Sequence, residues 1–112
     1  MSPARIMLWV TCLAEAFLGI PLLGGAFIIA MGWTPLWVMF FLHIVTLVLC
    51  LRDRKSFVGS GAGIATSLIG WIPIVGMIMH WITALILLVL AIQPDRANRD
   101  GYIPPPPPPQ RW

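Results

Sequence analysis

The stretch Gly32, Trp33, Thr34, Pro35, followed by His43 eight and Thr46 eleven residues after the proline, recurs as Gly70, Trp71, Ile72, Pro73, followed by His80 seven and Thr83 ten residues after it. Each copy sets a turn signal, Gly and Pro, beside a Trp of the kind that anchors at a membrane–water interface. Each then places one ionisable side chain about two helical turns into an apolar helix. The repeat predicts two matching hairpin bends and two histidines at matching depth in whatever surrounds the helices.

Composition identifies those surroundings. Of 112 residues, 59% are hydrophobic and 10% charged, and the mean hydropathy is +0.90, which leaves too little polar surface for a soluble domain. Residues 6–31 and 72–92 are apolar runs beyond the roughly 18 residues that mark a spanning helix. The fold class is therefore all-α, a polytopic integral membrane protein in contact with the lipid bilayer. A net charge of +3 with 7 Lys and Arg would suggest nucleic acid in a soluble protein. Here the cations sit at helix ends, where they set topology, and no nucleic-acid partner is expected.

Four helices are expected, at about residues 6–31, 35–51, 57–70 and 73–92, as two tandem hairpins. In the first, Pro21 removes a backbone donor and should kink the helix, while Gly19, Gly24 and Gly25 allow close approach. Arg5, the apolar residues after it and Ala14-Glu15-Ala16 have some features of a cleaved signal. The apolar stretch runs on to Met31, so it reads as a retained first span. Pro35 suits a first helical turn, and Arg52, Asp53, Arg54 and Lys55 end the second helix. Residues 56–93, as a single helix, would be about 57 Å long at 1.5 Å per residue, nearly twice the hydrocarbon thickness. The repeat places a break at Gly70 and Pro73; the alternative is three spans with one long or broken C-terminal span. Four spans put Arg5, the Arg52 to Lys55 loop, Arg96, Arg99 and Arg111 on one side and the two uncharged turns on the other, the positive-inside pattern. This places the chain in the plasma (inner) membrane, multi-pass, with both termini cytoplasmic. The third helix is short, about 21 Å, and needs snorkelling by Lys55, a thinned bilayer or a re-entrant path. Its small residues Gly59, Gly63, Ser67 and Gly70 recur at helical spacing and suit packing inside the chain or a dimer.

Residues 1–93 thus form a transmembrane helical domain, and residues 94–112 a proline-rich, disordered cytoplasmic tail. The proline run that opens at Pro104 and closes at Pro109 should extend as polyproline II over about 19 Å. With Tyr102, Arg111 and Trp112 beside it, the run suits a cytoplasmic partner with an aromatic groove. Cys12 and Cys50 have no pairing or metal spacing and read as small buried residues.

The chemistry-bearing residues lie within the membrane. Glu15 is about nine residues from the cytoplasmic side, and His43 and His80 about eight from the outer side, so all three fall near the midplane of a core about 30 Å thick. Ionisable groups at that depth face a protein interior or a water-filled cavity and find partners. Their neighbours share faces with them: Thr11 and Gly19 with Glu15; Met39, Thr46 and Cys50 with His43; Gly76, Thr83 and Ala84 with His80. Three readings follow. In the first, Glu15 hydrogen-bonds a histidine, the threonines bond their own backbones, and the cluster specifies hairpin packing. In the second, Glu15, His43, His80, Thr46 and Thr83 form a proton or cation path. In the third, His43 and His80 are the axial ligands of a haem b, with Gly76 leaving room for the porphyrin edge, or join Glu15 around zinc or iron. No catalytic constellation is present, and no enzyme is expected.

The function expected first is a structural or accessory subunit, without a cofactor, that assembles with itself or a membrane partner. The alternative is a small channel or proton-coupled transporter, and behind it stand a bis-His haem electron-transfer protein or a holin. Small size with several spans resembles phage holins, although the tail is proline-rich rather than densely basic.

Overall fold

The computed structural model describes residues 2–94 and 105–110. It is all-helical, with no strand among the described residues: α1 Pro3–Leu18, α2 Leu23–Ala30, α3 Thr34–Arg52, α4 Val58–Ile69 and α5 Pro73–Ile92. α3 and α5 are long and apolar enough to cross a membrane, and α1 with α2 passes the same test as a broken pair.

The first expected helix, residues 6–31, is the main correction. Ser2 caps α1 earlier than expected by accepting from the Arg5 N–H at 3.2 Å, with Pro3 in the first turn. The helix then stops at Leu18, and α2 leaves at 97°. Continuing it would drive the Pro21 ring into the carbonyl four residues back. The chain instead turns on Leu22, at φ 66 and ψ −50, where the Leu23 N–H donates to the Pro21 carbonyl at 2.8 Å in a γ-turn. A Cβ on Gly24 would collide with the Leu18 carbonyl, so only glycine lets α2 fold back this tightly. The indole N–H of Trp81 donates to the Gly19 carbonyl at 2.6 Å, supplying a partner that the interrupted helix lacks.

The two halves of the sequence repeat are built differently. At the end of α2, Gly32 has φ 60, its N–H donates to Ile29 O at 3.0 Å and that of Trp33 to Ile28 O at 2.9 Å, which is a Schellman closure. Gly70 sits instead at right-handed φ −66. It is glycine for space, because a Cβ there would lie 2.7 Å from Thr66 O, 3.1 Å from Leu36 and 3.2 Å from His80.

Residues 56–93 do not form one long rod. α4 turns back on α5 in antiparallel register, with Gly59 beside Leu87 and Leu90, Thr66 bonded to Thr83, and Gly70 against Gly76. α1 packs along α5 and α3, and α4 along α3 and α5, closing a ring of four. At one end the Ala4 N–H donates to Asp53 Oδ2 at 3.2 Å, Arg5 Nε to Ala91 O at 2.9 Å, and Lys55 Nζ to Gln93 O at 3.2 Å. The start of α1, the α3–α4 loop and the end of α5 thus share the charged end. Both Gly-Trp-x-Pro turns lie at the other, where Trp33 and Trp71 line the same cavities.

The ring is apolar outside and polar within. Trp37, Phe41, Ile74 and Leu85 are exposed, while Thr11, Glu15, His43, Thr46, Thr66, His80 and Thr83 are buried. Water favours the reverse distribution; an apolar exterior of this kind is one that lipid can solvate. Among the tail residues expected to matter, Arg96, Arg99, Tyr102, Pro104, Arg111 and Trp112 lie outside the described residues. Residues 105–110 are exposed and carry no regular secondary structure.

A buried Glu–His cluster as candidate functional site

Helical spacing alone puts Glu15, His43 and His80 on inward faces, and the register of the ring brings them together. Glu15 lies on α1 between α3 and α5, and its two oxygens are divided between two imidazoles. Oε1 contacts His43 Nε2 at 2.6 Å, and Oε2 contacts His80 Nδ1. Glu15 and His43 are 0% exposed and His80 1%. An ionised Glu15 accepts from both rings, which makes His43 the Nε2–H and His80 the Nδ1–H tautomer. With both rings neutral the cluster then carries one negative charge. One added proton makes it neutral, on whichever of the three groups it resides. Isolated charge is costly in this interior, so a single shared proton is the arrangement that dielectric physics favours.

The expected faces are all buried: Thr11 on α1; Met39, Thr46 and Cys50 on α3; Gly76, Thr83 and Ala84 on α5. The threonines, however, make no hydrogen bond with the carboxylate or the imidazoles. Thr46 donates to Leu42 O at 2.7 Å and Thr11 to Met7 O at 2.8 Å, each returning to its own helix. Thr83 pairs with Thr66 at 2.7 Å, and Thr66 also donates to Ala62 O at 2.8 Å. Thr66 belongs to this interior although its spacing carried no special signal; only the α4–α5 register reveals it.

The small-residue face of α4 turns inward. Gly59 abuts Leu87, Gly70 abuts Leu36 and His80, and Ser67 donates to the Gly63 carbonyl at 2.9 Å. Gly63 has the most specific contact: a Cβ there would fall closer than 3.0 Å to Cε1, Nδ1 and Nε2 of His43. The His43 ring therefore rests on bare backbone at Gly63, which holds its Nε2 on Glu15.

Apolar layers bound the cluster. Leu8, Cys50 and Leu87 lie seven residues from Glu15, His43 and His80 respectively, toward the charged end, a rise of about 10 Å on every helix. With Ala4, Cys12 and Ala91 they form a buried apolar plug. Toward the turns, Leu18, Ile28, Leu36 and Met39 form a second cluster. Cys12 and Cys50 are both free and buried.

The arrangement does not suit a bis-histidine haem. The two rings converge on one carboxylate, which leaves no gap for a macrocycle between them. Gly76, expected to clear a porphyrin edge, is instead filled from behind: a Cβ there would meet Gly70 O at 2.5 Å. No group of three or more His, Cys, Asp and Glu among the described residues is arranged to hold a metal ion. The facing nitrogens and oxygens bond each other rather than converging on a common point.

Comparison with protein-family models, with curated proteins and with solved structures returns no match.

Proposed function

We propose that the chain is a four-span protein of the plasma (inner) membrane, crossing through α1, α3, α4 and α5 with both termini cytoplasmic. It acts as a structural or accessory subunit that assembles through its apolar exterior with a second copy or a membrane partner. The observation that supports this most is how the interior closes on itself: Glu15 bonds one ring nitrogen of each histidine within one chain, and an apolar plug seals the charged end. A cluster so enclosed specifies how four helices pack. The shared charged end of α1, α3–α4 and α5 supports the orientation, since cations collect on the cytoplasmic side. α4, with 12 residues, spans about 18 Å and relies on bilayer thinning and on Lys55 reaching the headgroups. The proline run of the tail is the candidate contact for a cytoplasmic partner.

The test is in-membrane crosslinking of the full chain, with reporters fused at either terminus. A discrete crosslinked species and two cytoplasmic termini are expected. Recovery of an isolated monomer, or an external C-terminus, refutes the proposal. A proton-coupled carrier is the second reading, favoured by one observation: His80 lines a cavity at the turn end while the opposite end is plugged. It requires proton flux into reconstituted vesicles that Glu15→Gln reduces.

A further inference from the structure

We propose that the cavity between α2 and the start of α5 binds a small uncharged lipophilic alcohol or phenol, held by its hydroxyl on Nε2 of His80. This goes beyond the accessory role, which requires no ligand.

The cavity has a volume of about 360 Å³ and is lined by Leu18, Ile28, Trp33, Trp71, Met77 and His80, among others, a size within the usual range for small-molecule sites. It exists because the chain breaks after Leu18: a straight first helix would not carry α2 across to form the wall facing α5. Apart from the indoles of the two turn tryptophans, His80 is the one polar side chain in the lining.

His80 is 1% exposed, its Nδ1 is engaged by Glu15, and its Nε2 has no hydrogen-bond partner. The ring cannot rotate to satisfy Nε2 without releasing the carboxylate. A buried nitrogen in this state has lost its bonds to water without replacement, a penalty that an incoming partner recovers. Gly70 lines the same cavity beside this nitrogen, and a Cβ there would sit 3.2 Å from Nε2, so glycine is the residue that leaves the least bulk between the cavity and the ring. His43 differs, because its unpartnered Nδ1 is packed against Gly63.

Chemistry narrows the occupant. A lone water needs two to four polar partners to be held in a cavity, and this lining supplies few. A charged ligand finds no counter-charge in an apolar lining. A hydroxyl on an apolar body meets both conditions. It donates to Nε2 when the ring carries its proton on Nδ1 alone, and accepts from Nε2 when that nitrogen is protonated. Leu22 and Ile74, also in the lining, are 91% and 70% exposed, so entry runs from the apolar surroundings of the bundle.

The experiment uses the full chain in lipid nanodiscs with ¹⁵N-labelled histidine. The chain holds 2 histidines, and their free ring nitrogens differ in type, ε for His80 and δ for His43, so the signals are distinguishable. The probes are 4-butylphenol and butylbenzene, which differ by the hydroxyl. Titration with 4-butylphenol is expected to move the His80 Nε2 resonance saturably, and butylbenzene to leave it in place. Gly25 lines the cavity and a Cβ there meets nothing within 4 Å, so Gly25→Leu adds bulk at the cavity wall with no clash at its Cβ. It should weaken the phenol at least tenfold, as should Ala26→Leu, a second lining position. Absence of a saturable shift, an equal shift with butylbenzene, or undiminished binding in both filled variants overturns the proposal.

Discussion

Gly63→Ala is the sharpest test of the site geometry, because it adds one methyl group and nothing else. That methyl falls closer than 3.0 Å to three atoms of the His43 ring, so either the ring retreats or α3 and α4 separate. A retreat of about an ångström takes the 2.6 Å contact between His43 and Glu15 beyond useful hydrogen-bond range. Overpacking costs about 1–3 kcal/mol, and losing a hydrogen bond to a charged group about 1.5–3 kcal/mol. The better helix propensity of Ala returns about 1 kcal/mol. The net expectation is about 2–5 kcal/mol of destabilisation. Gly61→Ala is the matched control, two residues away on α4, where a Cβ meets nothing within 4 Å; it should gain about 1 kcal/mol. Equilibrium unfolding of both variants in mixed micelles measures the difference. Equal stabilities would refute the claim that His43 is seated on the Gly63 backbone.

Glu15→Gln keeps an acceptor for one imidazole and an amide donor for the other, whereas Glu15→Ala leaves both rings without a partner. The Ala variant should be the less stable of the two by about 2–4 kcal/mol, read from unfolding midpoints; equal losses would mean that the carboxylate does not bridge the rings. Arg54 closes α3 at φ 55, with the Lys55 N–H donating to Cys50 O at 2.8 Å, so Arg54→Gly should relieve about 1 kcal/mol of left-handed strain, seen as a raised melting temperature. Trp81→Phe removes the donor to the Gly19 carbonyl and should cost about 1 kcal/mol. Hydrogen exchange should report that loss as faster opening at the ends of α1 and α2, with α4 unchanged.

Local chemistry made much of this protein legible. The Gly-Trp-x-Pro phrases marked both turns, and α5 spans the residues expected of it. The inward faces of Met39, His43, Thr46 and Cys50 and of Gly76, His80, Thr83 and Ala84 follow from helical spacing, because residues three and four apart point the same way. Pro21 signalled a disturbance in the first helix. Its size was not legible: whether proline bends a helix or ends it depends on what the neighbouring segments offer. Here Gly24 admits the Leu18 carbonyl and Trp81, 62 residues away in sequence, caps the freed Gly19.

The sequence by itself determined the helical class, the apolar exterior and the inward faces of Glu15, His43 and His80, since composition and periodicity depend only on each residue and its near neighbours. Tertiary structure decided what those groups do. That one carboxylate serves both histidines, that Gly63 seats one ring while Gly70 lies beside the unpartnered nitrogen of the other, and that the repeated glycines differ in purpose all depend on register between helices far apart in the chain. The physical reason is that helical spacing selects a face but leaves open which neighbour meets it and at what height.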